Sequence, residues 1–178
     1  MTAAVWLAGV VVAQRVLELA IARRNERRAR AAGAVEVGQG HYWLFFVLHP
    51  AWLLGWVFES QAHPTSWGFL AAYAALQGLR VWILASLGEA WNTRILVIPG
   101  APRVARGPYR FMAHPNYVLV ALELVVTPLV VGAWRTALVA TVANALVMAI
   151  RIPAEERALR AYLTSTTSSG ADASTGGS

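Results

Sequence analysis

Apolar residues gather into five stretches along the chain: about Ala3–Ala22, His41–Phe58, Trp67–Leu87, Tyr117–Val131 and Trp134–Ile152. A membrane-spanning helix needs roughly 17–25 mostly apolar residues. The first, third and fifth stretches meet that length. The fourth is short and needs bilayer thinning or help from its flanks. No Arg or Lys precedes the first stretch and no small-residue cleavage site follows it, so it does not read as a signal peptide. The pattern predicts an all-α, polytopic helix bundle with about five transmembrane helices, over residues 1–163. The Ser-, Thr-, Gly- and Ala-rich segment 164–178 lacks apolar mass to bury and reads as a disordered tail.

Composition agrees. Of 178 residues, 57% are hydrophobic and 13% charged, against about 45–50% and 25% in an average soluble domain. The net charge of +6 comes from 15 Arg, with no Lys. Arg23, Arg24, Arg27, Arg28 and Arg30 follow the first stretch. Arg94, Arg103, Arg106 and Arg110 follow the third, and Arg151, Arg157 and Arg160 end the fifth. Only Arg135 lies in a connection on the other side. The positive-inside rule then places the N-terminus outside and the C-terminus in the cytoplasm of a multi-pass cell-membrane protein. The basic charge is a topology signal and does not indicate nucleic-acid binding. The absence of Cys excludes a disulfide scaffold, a thiolate metal site and a cysteine nucleophile.

The exported connections are short, whereas Arg23–Gly40 and Gly88–Asn116 are long. Long loops in a compact protein are usually functional, so chemistry is expected at the cytoplasmic face. Several polar groups fall within the apolar stretches. Arg15 and Glu18 share a helical face with Gln14 beside them, which reads as an internal ion pair or as a cavity lining. Arg80 lies near the cytoplasmic end of its stretch and is expected to snorkel. Glu123 is costly in lipid without a partner. It either pairs with Arg80 or with Tyr and Trp donors, or it shapes a polar pocket, and it stands as a catalytic candidate. The four His residues, His41, His49, His63 and His114, offer no metal site.

The richest polar stretch runs from Arg94 to Tyr117. Pro99-Gly100 and Gly107-Pro108 signal turns, and Ile95–Ile98 suits a short extended piece. Pro115 fits a first helical position, which puts His114 at the N-cap. A helix start favours a carboxylate or phosphate, and His114 and Tyr117 flank the same opening. Past the fifth stretch, Arg151 and Glu155 are four apart, and Pro153 kinks or restarts the helix. Glu155 and Glu156 read as first-turn acids, and Arg151 as an interfacial anchor. The short hairpin joining the last two stretches brings both clusters to one face. There an anion-binding helix end, two acids, an Arg and aromatic rings surround one volume. That set suits a zwitterionic sulfonium cofactor, since aromatic faces attract onium cations.

The residues Gly107-Pro108-Tyr109-Arg110, His114-Pro115-Asn116-Tyr117 and, across the hairpin, Arg151 with Glu155-Glu156 resemble the isoprenylcysteine carboxyl methyltransferase family. The resemblance covers Gly88 to Arg160 and implies S-adenosylmethionine as cofactor and a lipophilic acceptor. It implies that Ala101, Pro102, Arg103, Val104, Tyr109, His114, Pro115, Asn116, Tyr117 and Glu155 contact the cofactor. Glu155 takes its ammonium group, and Arg151 faces the acceptor's acidic group. Glu156 and Arg110 join the set as neighbours. The family has Arg before its His-Pro pair, where this chain has Ala113, and Arg110 is one turn earlier. Arg23-Arg24-Asn25, Gly33, Glu36, Gly38, His41-Tyr42, Trp91-Asn92-Thr93-Arg94 and Pro99-Gly100 resemble a bacterial branch that O-methylates alkylpyrones. Rival readings are a phospholipid N-methyltransferase, a sterol-reductase-like enzyme lacking a phosphate-binding glycine fingerprint, and a non-enzymatic bundle or transporter subunit.

Overall fold

The computed structural model describes residues 3–36, 43–60, 63–94, 96–97 and 104–175; the side chains of 43, 45, 46, 151, 154, 155 and 158–175 are excluded. Five helices carry the fold: α1 (Ala3–Ala31), α2 (Trp43–Glu59), α3 (Trp67–Leu87), α4 (Pro115–Val130) and α5 (Trp134–Thr175). Two-residue strands β1 (Val35–Glu36) and β2 (Leu96–Val97) pair antiparallel, with Val35 opposite Val97. The all-α expectation holds, and the extended piece expected over Ile95–Ile98 is β2.

Helix α1 outruns its apolar stretch by nine residues. No breaker interrupts the Ala, Arg and Glu that follow Ala22, and all three are good helix formers. The helix stops at Gly33, whose φ of 83° permits a Schellman turn. Ala34 N–H donates to Ala29 O at 2.9 Å and Gly33 N–H to Arg30 O at 3.0 Å. Its buried residues are Ala4, Val11, Glu18, Ala22, Asn25 and Ala29, a near-heptad stripe of mostly small side chains that permits close helix approach.

Helices α3, α4 and α5 pack in sequence, α2 packs on α5, and α1 on α2. Helices α4 and α5 form the expected hairpin. Val131 ends α4, and a second Schellman turn at Gly132 (φ 76°) closes it, with Ala133 N–H on Pro128 O at 3.0 Å. Helix α5 has no N-capping side chain of its own, because Ala133 precedes it. Glu59 from the end of α2 supplies the cap, accepting from Arg135 N–H (3.0 Å), Thr136 N–H (2.8 Å) and Thr136 Oγ1 (2.7 Å). Ser66 N–H takes the Val130 carbonyl at 2.8 Å. This end of the bundle is tightly capped; the opposite end carries the arginines and the long connections.

Pro153 lies inside α5 without ending it, and helical backbone runs on to Thr175, across the segment expected to be disordered. Among the described residues, Ala3–Ala31 and Trp67–Ala90 are long and apolar enough to cross a membrane, and Pro115–Val130 and Trp134–Ile150 are shorter apolar helices. Only 22% of each long apolar window is buried, whereas a core helix of a soluble protein would bury most of its length.

Candidate functional site

The site lies at the arginine-rich end, where the chain passes from α3 into α4. Arg106 Nε donates to Ser86 O at 2.6 Å, satisfying a carbonyl that the last turn of α3 leaves open. Gly107 follows with φ 58°. A Cβ there would lie 1.9 Å from Ser86 Oγ, so glycine alone permits this approach. The 3₁₀ turn Gly107–Arg110 then packs on α3. Pro108 is buried. Burial pushes the Tyr109 hydroxyl up to about 12, so it stays protonated and can only donate or accept a hydrogen bond.

Pro115 opens α4 and His114 is its N-cap, with no side-chain cap bond and no acid in the first turn. The His114 and Tyr117 rings stack, with centroids 5.2 Å apart and planes within 14°. An uncapped helix start with two parallel aromatic rings offers partial positive charge to a carboxylate and π faces to an onium group or a flat heterocycle. The donor set therefore fits the expected cofactor. Arg110, the candidate substitute for the charge missing at Ala113, places its guanidinium carbon 5.7 Å from the Phe111 ring centroid.

The N-terminal half clasps this region. Buried Asn25 donates from Nδ2 to Gly88 O (3.1 Å) and Trp91 O (2.9 Å). Glu36 accepts from Arg30 Nη2 and Arg94 Nη1, each at 2.5 Å, and Arg30 also bonds Glu26. Burial works to raise the Glu36 carboxyl, but hydrogen bonds from Arg94 and Arg30 outweigh it and hold the pKa below the usual carboxylate value. Asn25, Glu36, Trp91 and Arg94, set far apart in sequence, thus belong to one joint.

A second polar cluster lies between α1, α3 and α4. Glu123, 4% exposed, accepts from Arg15 Nη2 (2.9 Å), Gln77 Nε2 (3.0 Å) and Arg80 Nε (3.0 Å), and also pairs with Arg80 Nη2. Glu18 accepts from Gln14 (2.9 Å), Arg15 (2.9 Å) and Arg80 (2.8 Å). The expected Arg15–Glu18 pair is present. The expected pairing of Glu123 with Arg80 is present, and four donor atoms fill its acceptor capacity. The snorkelling expected of Arg80 is corrected: the residue is 3% exposed and turned inward. Helical side chains lean toward their own N-terminus, and that of α3 is at the far end of the bundle, so Arg80 leans toward Glu123.

Ala101, Pro102 and Arg103 lie outside the described residues, as do Gly38, His41-Tyr42, Pro99-Gly100 and the side chains of Arg151 and Glu155. Glu156 is exposed on α5, Val104 is half-buried, and Asn116 occupies the first turn of α4. No local pattern signals the Ser86–Arg106 bond, although the Gly107-Pro108 turn marks its place. Asn25 sits at a buried position of the α1 stripe, which was the available signal for its role.

The isoprenylcysteine carboxyl methyltransferase (ICMT) family matches residues 69–161. A Bacillus subtilis (strain 168) protein, YpbQ, described as uncharacterized, is 39% identical over 88% of this chain and 96% of its own length. An uncharacterized Haemophilus influenzae protein is 27% identical over 84% of this chain and 90% of its own. No solved structure matches.

Proposed function

Because the chain belongs to the isoprenylcysteine carboxyl methyltransferase family of membrane methyltransferases, we propose that it is an S-adenosylmethionine-dependent O-methyltransferase. Its acceptor is an acidic hydroxyl or carboxylate on a lipophilic, isoprenoid- or polyketide-derived molecule such as an alkylpyrone. The reaction takes place at the cytoplasmic face of a five-span, cell-membrane protein with its N-terminus outside. The observation that carries this reading is the His114–Tyr117 stack at the uncapped start of α4, inside the matched segment.

Ala101–Val104, Tyr109 and the start of α4 contact the cofactor in this reading, and Glu155 takes its ammonium group with Glu156 beside it. The bound cofactor supplies an already activated methyl group. The protein's work is to hold an acceptor oxygen in line at roughly 3–3.5 Å and to keep water from it. An acidic acceptor is ionised near neutral pH, so no strong base is required. Arg151 orients that anion. Glu123, saturated by its partners, acts as a positioning residue that fixes α4 against α1 and α3.

Transfer of radiolabelled methyl groups into an organic-extractable product, from lipid extracts and purified protein, tests the proposal. The wild type is expected to label product, and Arg151→Ala to abolish labelling while cofactor binding stays nearly intact. Unchanged labelling by Arg151→Ala removes its assigned role. A rate that climbs steeply with pH, as deprotonation of an amine acceptor requires, favours phospholipid N-methylation instead.

A further inference from the structure

The last turn of α3 leaves carbonyls that its own helix cannot use, and they are met from two parts of the chain. Arg106 Nε takes Ser86 O at 2.6 Å. Asn25, from α1, donates twice from Nδ2, to Gly88 O at 3.1 Å and to Trp91 O at 2.9 Å. Asn25 is 1% exposed, and among the described residues its Oδ1 has no partner. A buried, unpaired oxygen is costly, so a side chain needed only for packing would be apolar. Asn25 serves through its two hydrogens.

What Asn25 holds is the seat of the candidate site. A Cβ on Gly88 would lie 3.5 Å from Arg106 Nη2, so the Arg106 guanidinium lies over the turn that Asn25 fixes. Gly107 comes next and lies against Ser86 and Trp82 of α3. Tyr109 N–H then bonds Arg106 O at 3.3 Å, Met112 N–H bonds Pro108 O at 3.3 Å, and Tyr117 N–H bonds His114 O at 3.1 Å. An ordered path therefore leads from Arg106 to the start of α4. A second tie keeps α1 in register. Glu18 and Asn25 are seven residues apart on α1, and their partners Arg80 and Gly88 are eight apart along α3. At 1.5 Å per residue these separations are about 10 Å and about 12 Å, so both contacts form at once.

We infer that Asn25, which lies outside the family-matched residues 69–161, is a positioning residue for the cofactor site. It fixes the last turn of α3, which seats Arg106 and Gly107, and they in turn set Tyr109 and His114. The effect on cofactor rests on the methyl-transfer reading; the relay from Asn25 to the start of α4 does not.

Full-length Asn25→Leu, which keeps the volume and loses both hydrogens, tests the inference in detergent. Its S-adenosylmethionine affinity is expected to fall about tenfold, with the cofactor KM raised and turnover at saturating cofactor close to wild type. Arg106→Met breaks the same relay without touching α1 and should weaken binding likewise, Arg106→Lys should recover part of the loss, and the Asn25–Arg106 double variant should lose less than the sum. Glu59→Ala, which loosens the far end of the bundle, should bind as the wild type does. Wild-type affinity in folded Asn25→Leu, or an equal loss in Glu59→Ala, overturns the inference. Hydrogen exchange without cofactor is expected to quicken at the amides of Tyr109, Met112 and Tyr117 in Asn25→Leu, and unchanged exchange there overturns the relay. A folded wild type that binds no cofactor contradicts the methyl-transfer reading, while the exchange still decides the relay, so the two fail separately.

Discussion

Trp52 donates its indole N–H to the carbonyl of Leu124 at 3.2 Å, and Leu124 is four residues before Pro128. Proline has no N–H to return to that carbonyl, and in an apolar surrounding an unmade bond is costly. Helix α2 therefore supplies a bond that α4 cannot make for itself. Trp52→Phe should cost about 1–3 kcal/mol. Adding Pro128→Ala should recover part of the loss, because the new amide restores the helical bond. Thermal unfolding in detergent of both single variants and the double tests this. Strictly additive losses would disprove the coupling.

The Arg15–Glu18–Arg80–Glu123 cluster is neutral as a whole, and its members hold three helices together. Removing one charge from a buried pair costs about 3–5 kcal/mol, so Arg80→Met or Glu123→Met alone should sharply lower the yield of folded protein. The double variant leaves the neutral Arg15–Glu18 pair and should be more stable than either single variant. Size-exclusion profiles and unfolding midpoints measure the order.

Two groups set the pH limits of the arginine-rich end. Tyr109 moves from an ordinary 10.0 up to about 12 on folding. Its contribution is therefore intact below pH 10 and lost as pH rises toward 12. Tyr109→Phe should remove that part of the alkaline destabilisation. Glu36 moves the other way, below its ordinary 4.5. Its contribution is intact above that value and lost as pH falls through the lower folded value, and Glu36→Gln should flatten the acid limb. Unfolding midpoints against pH read both.

Glu59 should act as a replaceable cap. Glu59→Ala removes three hydrogen bonds from the start of α5 and should cost about 1 kcal/mol, while Glu59→Gln, which keeps an acceptor oxygen, should cost less. Equal losses would mean that the contact contributes through packing instead.

What was legible in the chain depended on sequence distance. Helix α3 matches its apolar stretch from Trp67 to Leu87, and Pro115 fixed His114 as an N-cap, because both signals are local. The pairing of Val35 with Val97, the Glu59 cap and the Asn25 clasp join residues about 60 or more positions apart, and no local pattern announces them. Arg80 lies near the arginine-rich end of α3, yet its side chain leans toward the helix N-terminus and so toward Glu123. The site was legible as a motif around His114, whereas the Ser86–Arg106 bond that ties its approach to α3 was not.

The central claim is that the start of α4 belongs to an S-adenosylmethionine site. Isothermal titration of that cofactor into detergent-purified protein tests it most directly. Saturable binding is expected, near one molecule per chain and weakened by His114→Ala, a variant that should retain the wild-type fold. No saturable binding to demonstrably folded wild-type protein would contradict it.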